Sequence, residues 1–145
     1  MKRRILTMVA TLGVLLGLAV VAGAQARNKI EATVRFDFAA GETKLRAGNY
    51  TVKRISNKAF SLRSANGKSN AIVLAPISVR QRPEGSPERL VFKRYGSQYF
   101  LVQVWTDRNG EGSALYPSKT EERLTKQMEK TNSAPQTIEV VSKGK

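Results

Sequence analysis

The chain reads as all-β, a mainly antiparallel sandwich or partly open barrel, with one short C-terminal α-helix. Three observations predict this. Short runs alternate apolar with polar residues, turns rich in glycine or asparagine separate those runs at close spacing, and a helix-start pattern occurs once, late in the chain. At 145 residues the length fits about one domain on the usual prior of roughly 100 to 200 residues. The expected organisation is residues 1–26 as a cleavable signal peptide and 27–145 as a single β-rich domain.

The signal-peptide reading rests on Lys2, Arg3 and Arg4 as a basic start, Ile5 to Val21 as an apolar stretch, and Ala24-Gln25-Ala26 as a small-x-small cleavage site. Ala22-Gly23-Ala24 is an alternative cleavage site. A retained membrane anchor is the competing reading, because the apolar run is only slightly short of the ~18 residues that suggest a spanning helix. Thr7, Thr11, Gly13, Gly17 and the alanine-rich exit favour cleavage. The expectation is an exported protein, periplasmic or extracellular, with no stable membrane span after cleavage.

Lys and Arg number 25 against 11 Asp and Glu, a formal net charge of +14. Residues 1–26 hold three of the basic residues and no acidic one, so the remainder carries 22 against 11, or +11. Charge of this size raises encounter with polyanions and is screened by salt, but specifies no partner. No cysteine is present, so packing has to hold the domain without disulfides.

In chain order, Ile30, Ala32, Val34, Phe36 and Phe38 alternate with polar residues and predict one strand with a buried face. Ala39 to Glu42 reads as a turn, Thr43 to Leu45 as a short extended piece, and Arg46-Ala47-Gly48-Asn49 as a second turn in which Gly48 supplies a positive φ. Tyr50 to Ser56 and Ala59 to Arg63 read as paired strands across Asn57-Lys58, followed by a turn at Ala65 to Lys68. Ala71 to Leu74 and Ile77 to Gln81 follow, interrupted at Pro76, which has no N–H for a ladder. Arg82 to Glu88 is a loop. Arg89 to Tyr95 and Gln98 to Trp105 form a hairpin across Gly96-Ser97, with Leu90 and Phe92 on one face and Phe100, Val102 and Val104 sharing a face of the second strand. Asp107 to Gly112 reads as a polar loop.

Ser118-Lys119-Thr120-Glu121 matches a capping box and starts a helix over about 119–130, with Glu122 and Lys126 at i,i+4 and a narrow Leu124/Met128 stripe that rests on the sheet. Thr137 to Val141 is β-branched enough for a last strand.

Histidine and cysteine are both absent, which removes Ser-His-Asp, Cys-His and the usual zinc or copper sites. The acids Asp37, Glu42, Glu84, Glu88, Asp107 and Glu111 read as solvated loop or strand residues rather than a glycosidase pair. Asp107 to Glu111 lacks the ligand spacing of a calcium loop, and no phosphate- or dinucleotide-binding fingerprint is present. The chain therefore predicts no catalytic residues, no metal and no cofactor. Two binding features remain. Arg80, Arg82, Lys93 and Arg94 are candidates for contact with a polyanion, and Tyr95, Tyr99 and Trp105 for an aromatic platform, each set weighed against ordinary surface charge or cross-strand packing.

The phrases FDFAAGETKLRAGNYTVKRI, LVFKRYGSQYFLVQVW and YPSKTEERLTKQ, in this order, resemble a family of small exported proteins of unknown function abundant in acidobacteria. In that family the first phrase runs F-x-F-x-x-G-x-x-x-L-P-A-G-x-Y-x-V. Phe36, Phe38, Gly41, Leu45, Ala47, Gly48, Tyr50 and Val52 stand at the matching places, and Arg46 stands where proline is usual. The resemblance covers about residues 30 to 130 and implies export, a β-rich domain and no known enzyme activity. It supplies no site.

The function expected from these observations is a non-catalytic envelope or extracellular binding module whose basic surface takes an anionic polymer. The alternative is a structural or assembly protein that binds a protein partner through a sheet edge or the C-terminal helix. A carbohydrate-active enzyme ranks last, and specific nucleic-acid binding is not expected.

Overall fold

A computed structural model describes residues 29–80 and 82–143. The signal-peptide reading of residues 1–26 lies outside the described residues. Two sheets face one another. In the first, β1 (Lys29–Val34), β4 (Gly48–Ser56), β5 (Ala59–Ser64) and β6 (Asn70–Leu74) lie side by side in the order β1-β4-β5-β6, every pair antiparallel. The second runs β11 (Gln136–Val141), β8 (Arg89–Tyr95), β9 (Gln98–Trp105), β10 (Glu111–Ala114), β7 (Ile77–Arg80). The short hairpin of β2 (Phe38–Ala40) and β3 (Thr43–Leu45) joins β9 through a parallel bridge between Ala39 and Phe100. The arrangement is a sandwich, not a closed barrel.

Alternation puts one side chain in two into the interior, and the two inner faces make one core. Ile30, Ala32, Val34, Tyr50, Val52, Phe60, Leu62, Ala71 and Val73 come from the first sheet. Phe38, Ala40, Leu45, Leu90, Phe92, Leu101 and Val104 come from the second. Phe92 receives the edges of Phe36 and Phe38, at 5.1 and 5.2 Å between centroids, a geometry the ring quadrupole favours.

The structure corrects four local expectations. The predicted Ile30–Phe38 strand is two strands in two sheets, because the chain turns at Arg35 to Asp37 and crosses the sandwich. The Asp37 carboxylate holds that corner by accepting from Ala47 N at 2.8 Å. Gly48 has no positive φ; it opens β4 opposite Val34, and an added Cβ would meet only Tyr50 Cε2 at 3.9 Å, an ordinary contact. The left-handed glycine of this region is Gly41, at φ 60° in the turn between β2 and β3. β10 occupies Glu111–Ala114, partly inside the predicted Asp107–Gly112 loop. Finally, a bulge between Val91 and Phe92 shifts the β8–β9 register, so Phe92 opposes Leu101 while Leu90 opposes Val104. The extra residue in β9 reverses side-chain parity along that strand. Leu101 and Val104, rather than Phe100, Val102 and Val104, are therefore the core-facing set.

The Pro76 break is also a crossing, since β6 belongs to the first sheet and β7 to the second. The hairpin turn has a positive φ at Gly96, 61°, and none at Ser97, matching the φ signs of a type II′ connection.

The helix, α1 (Lys119–Lys130), has the predicted limits. Ser118 Oγ accepts from Glu121 N at 3.2 Å, satisfying one of the N–H groups that a helix start leaves open. Glu122 and Lys126 form no ion pair among the described residues. Leu124 and Met128 are half-buried, and the most buried residue of the helix is Glu121.

Candidate functional site

Parity on the second sheet leaves Arg89, Val91, Lys93 and Tyr95 of β8 on its outer face, opposite Trp105, Gln103, Phe100 and Gln98 of β9. Val91, Tyr95, Phe100 and Trp105 are all buried there. Two things cover them. At one end α1 lies over Tyr95, whose hydroxyl is 3.2 Å from Glu121 Oε1 and 3.1 Å from Thr125 Oγ1. Burial pushes the Glu121 carboxyl above the ordinary range, and the Tyr95 hydrogen bond, the nearby Lys93 charge and the Ser118 N–H only partly offset it. Burial likewise raises Tyr95.

At the other end Trp105 lies against the backbone of Gly112 so closely that a Cβ there would sit 2.5 Å from Cδ2 and Cε2 of the indole. Its Nε1 donates to Gln103 Oε1 at 3.0 Å, and the Arg82 guanidinium lies over the ring 5.1 Å from its centroid. Arg82 and Arg89 both donate to the Glu139 carboxylate. Burial alone would raise Glu139, but the two guanidinium hydrogen bonds and their charges win, and its pKa is lowered.

The proposed polyanion residues are thus dispersed. Arg80 pairs with Glu111, and Arg82 with Glu139. Lys93 faces Glu121 on the outer face of the second sheet. Arg94 points the other way, 5.5 Å over the Tyr99 ring, with Nε donating to Gly96 O at 2.7 Å. The three aromatic residues do not form one surface either. Tyr99 stacks on Phe36 at 4.0 Å toward the core, whereas Tyr95 and Trp105 lie on the opposite face.

What the structure does bring together is a cleft of about 630 Å³. Its walls are the β2–β3 hairpin with the Arg46 corner, the tip of the β8–β9 hairpin, and the start of α1. The charged residues lining it are Asp37, Glu42, Lys44, Arg46 and Arg123; Tyr99, Phe100, Gln98, Ser97, Ser118 and Thr120 supply aromatic and hydrogen-bonding surface. The two acids are already engaged by backbone: Asp37 accepts from Ala47 N, and Glu42 Oε1 from Lys119 N at 3.2 Å. Among the described residues Lys44, Arg46 and Arg123 have no carboxylate partner, and all three side chains are exposed. The cleft therefore presents three free cations beside an aromatic floor, an arrangement suited to an anionic group carried on a flat or ring-shaped scaffold.

The Tyr50 hydroxyl fixes the Arg46 corner by donating to Arg46 O at 2.6 Å. Burial raises the Tyr50 pKa, with a Ser69 hydrogen bond opposing and Asp37 adding to the rise, so the phenol stays a donor at neutral pH.

In the sequence Tyr99 stands out for its ring and Arg46 for standing where proline is usual in the family the chain resembles, but nothing there joins either to Arg123. The three cations lie 2 and 77 positions apart along the chain, and only the helix docking beside the β2–β3 hairpin makes them neighbours. A second depression, about 490 Å³, is lined solely by long side chains of α1 and has no second wall. Among the described residues no cluster of three or more acids is placed to hold a metal ion.

Comparison of the chain with models of protein families, with curated proteins and with solved structures finds no match.

Proposed function

We propose that the protein is a non-catalytic exported binding module that takes an anionic envelope or extracellular polymer on its basic surface, with the cleft between the β2–β3 hairpin and α1 as the principal contact. One observation carries the reading. Lys44, Arg46 and Arg123 flank the cleft without carboxylate partners, while Asp37 and Glu42 beside them are tied to backbone N–H groups. An anionic sugar or phosphate entering there replaces water around the cations without having to break an existing ion pair. The charge excess outside residues 1–26, 22 basic against 11 acidic or +11, supports the same reading by raising the encounter rate with a polyanion.

The test is retention on immobilised alginate, heparin and lipopolysaccharide over a salt series. Wild type is expected to be retained at low salt and released as salt rises, since each neutralised fixed charge contributes roughly 0.7–0.9 to the log–log salt slope in the nucleic-acid case. The triple variant K44Q/R46Q/R123Q is expected to lose most of that retention, and R80Q, whose cation already has Glu111, to lose little. Absence of retention on all three matrices, or equal loss in the two variants, overturns the proposal.

A further inference from the structure

The acids of the chain are unevenly placed. Residues 43–83 hold nine of its 25 basic residues and none of its 11 acidic ones. That stretch supplies β4, β5 and β6, so the first sheet has a single acid in its four strands, Glu31, which pairs with Lys29 at 2.8 Å. Lys53, Lys58, Arg63 and Lys68 are exposed and enter none of the ion pairs of the described residues.

Alternation decides what accompanies these cations on the outer face. Val52, Leu62 and Ala71 form one inward row, and Phe60 with Val73 the next. Lys53, Ser61 and Ile72 therefore stand in the outward row between them, and Leu74 in the outward row beyond. Ile55 follows the inward Arg54, whose guanidinium lies 4.9 Å from the centroid of the Phe60 ring, and so it also points out. Ile55, Ile72 and Leu74 are 50%, 70% and 67% exposed, and β4 and β6 lie two strand spacings apart, roughly 10 Å. The two aromatic residues of this sheet, Tyr50 and Phe60, are both in the core. The outer face thus combines aliphatic side chains with unpaired cations and presents no aromatic ring.

We propose that this face docks on an anionic phospholipid bilayer, with Ile55, Ile72 and Leu74 entering the headgroup layer and Lys53, Lys58 and Arg63 meeting lipid phosphate. Charge sets the sign of the partner, and the aliphatic side chains select its kind. A soluble polyanion would engage the cations and leave Ile55, Ile72 and Leu74 in water, whereas the boundary between headgroups and acyl chains takes both. A protein interface is enriched in aromatic residues and depleted in lysine, and this face has the reverse composition. The long lysine stems let an ammonium group stay at phosphate height while its neighbours go deeper. The face shares no residue with the cleft.

A polarity-sensitive dye attached at Ile72→Cys, in a chain with no other thiol, tests the docking on vesicles of phosphatidylglycerol and phosphatidylcholine in equal parts and on phosphatidylcholine alone. A blue shift is expected on the anionic vesicles, fading as salt rises, and none on the neutral ones. The same dye at Thr137→Cys, an exposed position of the second sheet, should stay in water. Because the readout is local, it reports this face whatever residues 1–26 do at a bilayer. On the labelled background K53Q/K58Q/R63Q should raise the lipid concentration at half-shift about a hundredfold, at roughly fivefold per cation near an anionic surface. I55T/L74T should raise it at least about tenfold, and K44Q/R46Q/R123Q, which tests the cleft, no more than about fivefold. Far-UV circular dichroism should be unchanged in each. No shift at position 72 on anionic vesicles, an equal shift at position 137, an equal shift on neutral vesicles, or indifference to both variants of the face would overturn the docking. So would an equal shift with heparin and no lipid, which would give the face to a soluble polymer instead.

Discussion

The outer faces of the two sheets solve the same problem in opposite ways. On the first sheet the face away from the core is left to solvent: Lys29, Glu31, Thr51, Lys53 and Arg63 alternate outward, and even the apolar Ile55 and Ile72 are 50% and 70% exposed. On the second sheet the two central strands, β8 and β9, are covered on the same kind of face, while β11 and β7 beside them stay largely open. Tyr95 and Trp105 are 4% and 3% exposed, one beneath α1 and the other against the backbone of β10. An antiparallel sheet needs only one buried face, so the second cover is an addition. What it adds is a fixed scaffold on which the start of the helix is held beside the β2–β3 hairpin, and so the cleft.

The strongest way to break this contrast is to remove the second cover. Trp105→Ala is expected to cost about 3–5 kcal/mol in unfolding free energy, as for other buried aromatic truncations. Gly112→Ala forces a methyl into the indole and is expected to cost about 1–3 kcal/mol by overpacking. The two effects should not add. With Trp105 gone the alanine at 112 has room, so urea unfolding of the double variant should show most of the Gly112→Ala penalty cancelled. Full additivity would mean that the indole is not what requires glycine there.

A smaller effect comes from the polar half of the cover, and it has a sign. Burial holds the Glu121 carboxyl above its ordinary pKa despite Tyr95, Lys93 and the Ser118 N–H. The folded state then binds the proton more tightly than the unfolded chain does, so this residue favours folding at low pH, and the contribution is lost as pH rises through the raised pKa. Glu139 is the reverse: its two arginines outweigh burial and lower its pKa, so its contribution is present above the ordinary carboxylate range and is lost on acidification through the lowered value. Glu121→Gln keeps an acceptor for the Tyr95 hydroxyl and removes the titration. Urea midpoints across the acidic range should therefore lose the downward slope with rising pH and keep the Glu139 slope. An unchanged profile would place Glu121 outside the linkage.

How much of this contrast was legible in the sequence differs by region for a physical reason. β1, the Tyr50–Lys53 part of β4 and β5 from Phe60 onward alternate, so their inner residues could be read directly, and the helix limits followed from Ser118 and the capping pattern. β9 could not be read this way. A bulge at Val91/Phe92 reverses parity partway along, and nothing in a local apolar pattern marks one inserted residue. That single step puts Tyr99 and Trp105, which uninterrupted alternation would place on one face, on opposite faces. β10 escaped because its strand character comes from pairing with β7 and β9, not from β-branched residues of its own. The cleft cations escaped for the same kind of reason, since Arg46 and Arg123 become neighbours only through tertiary docking.

The open face gives the smallest expected change and so sharpens the contrast from its other side. Ile55 is half-exposed and sits at the irregularity between Arg54 and Ser56, where it has no partner in the β4–β5 register. Ile55→Thr keeps the β-branch that suits a strand and gives up apolar surface that is mostly in water already. The expected change in unfolding free energy is within about 0.5 kcal/mol, the range of surface substitutions remote from any special feature. Measured at low protein concentration, the value reports the single chain. A loss above about 1 kcal/mol under that condition would mean that the first sheet's outer face is covered within the single chain, and the two faces would then differ in degree rather than in kind.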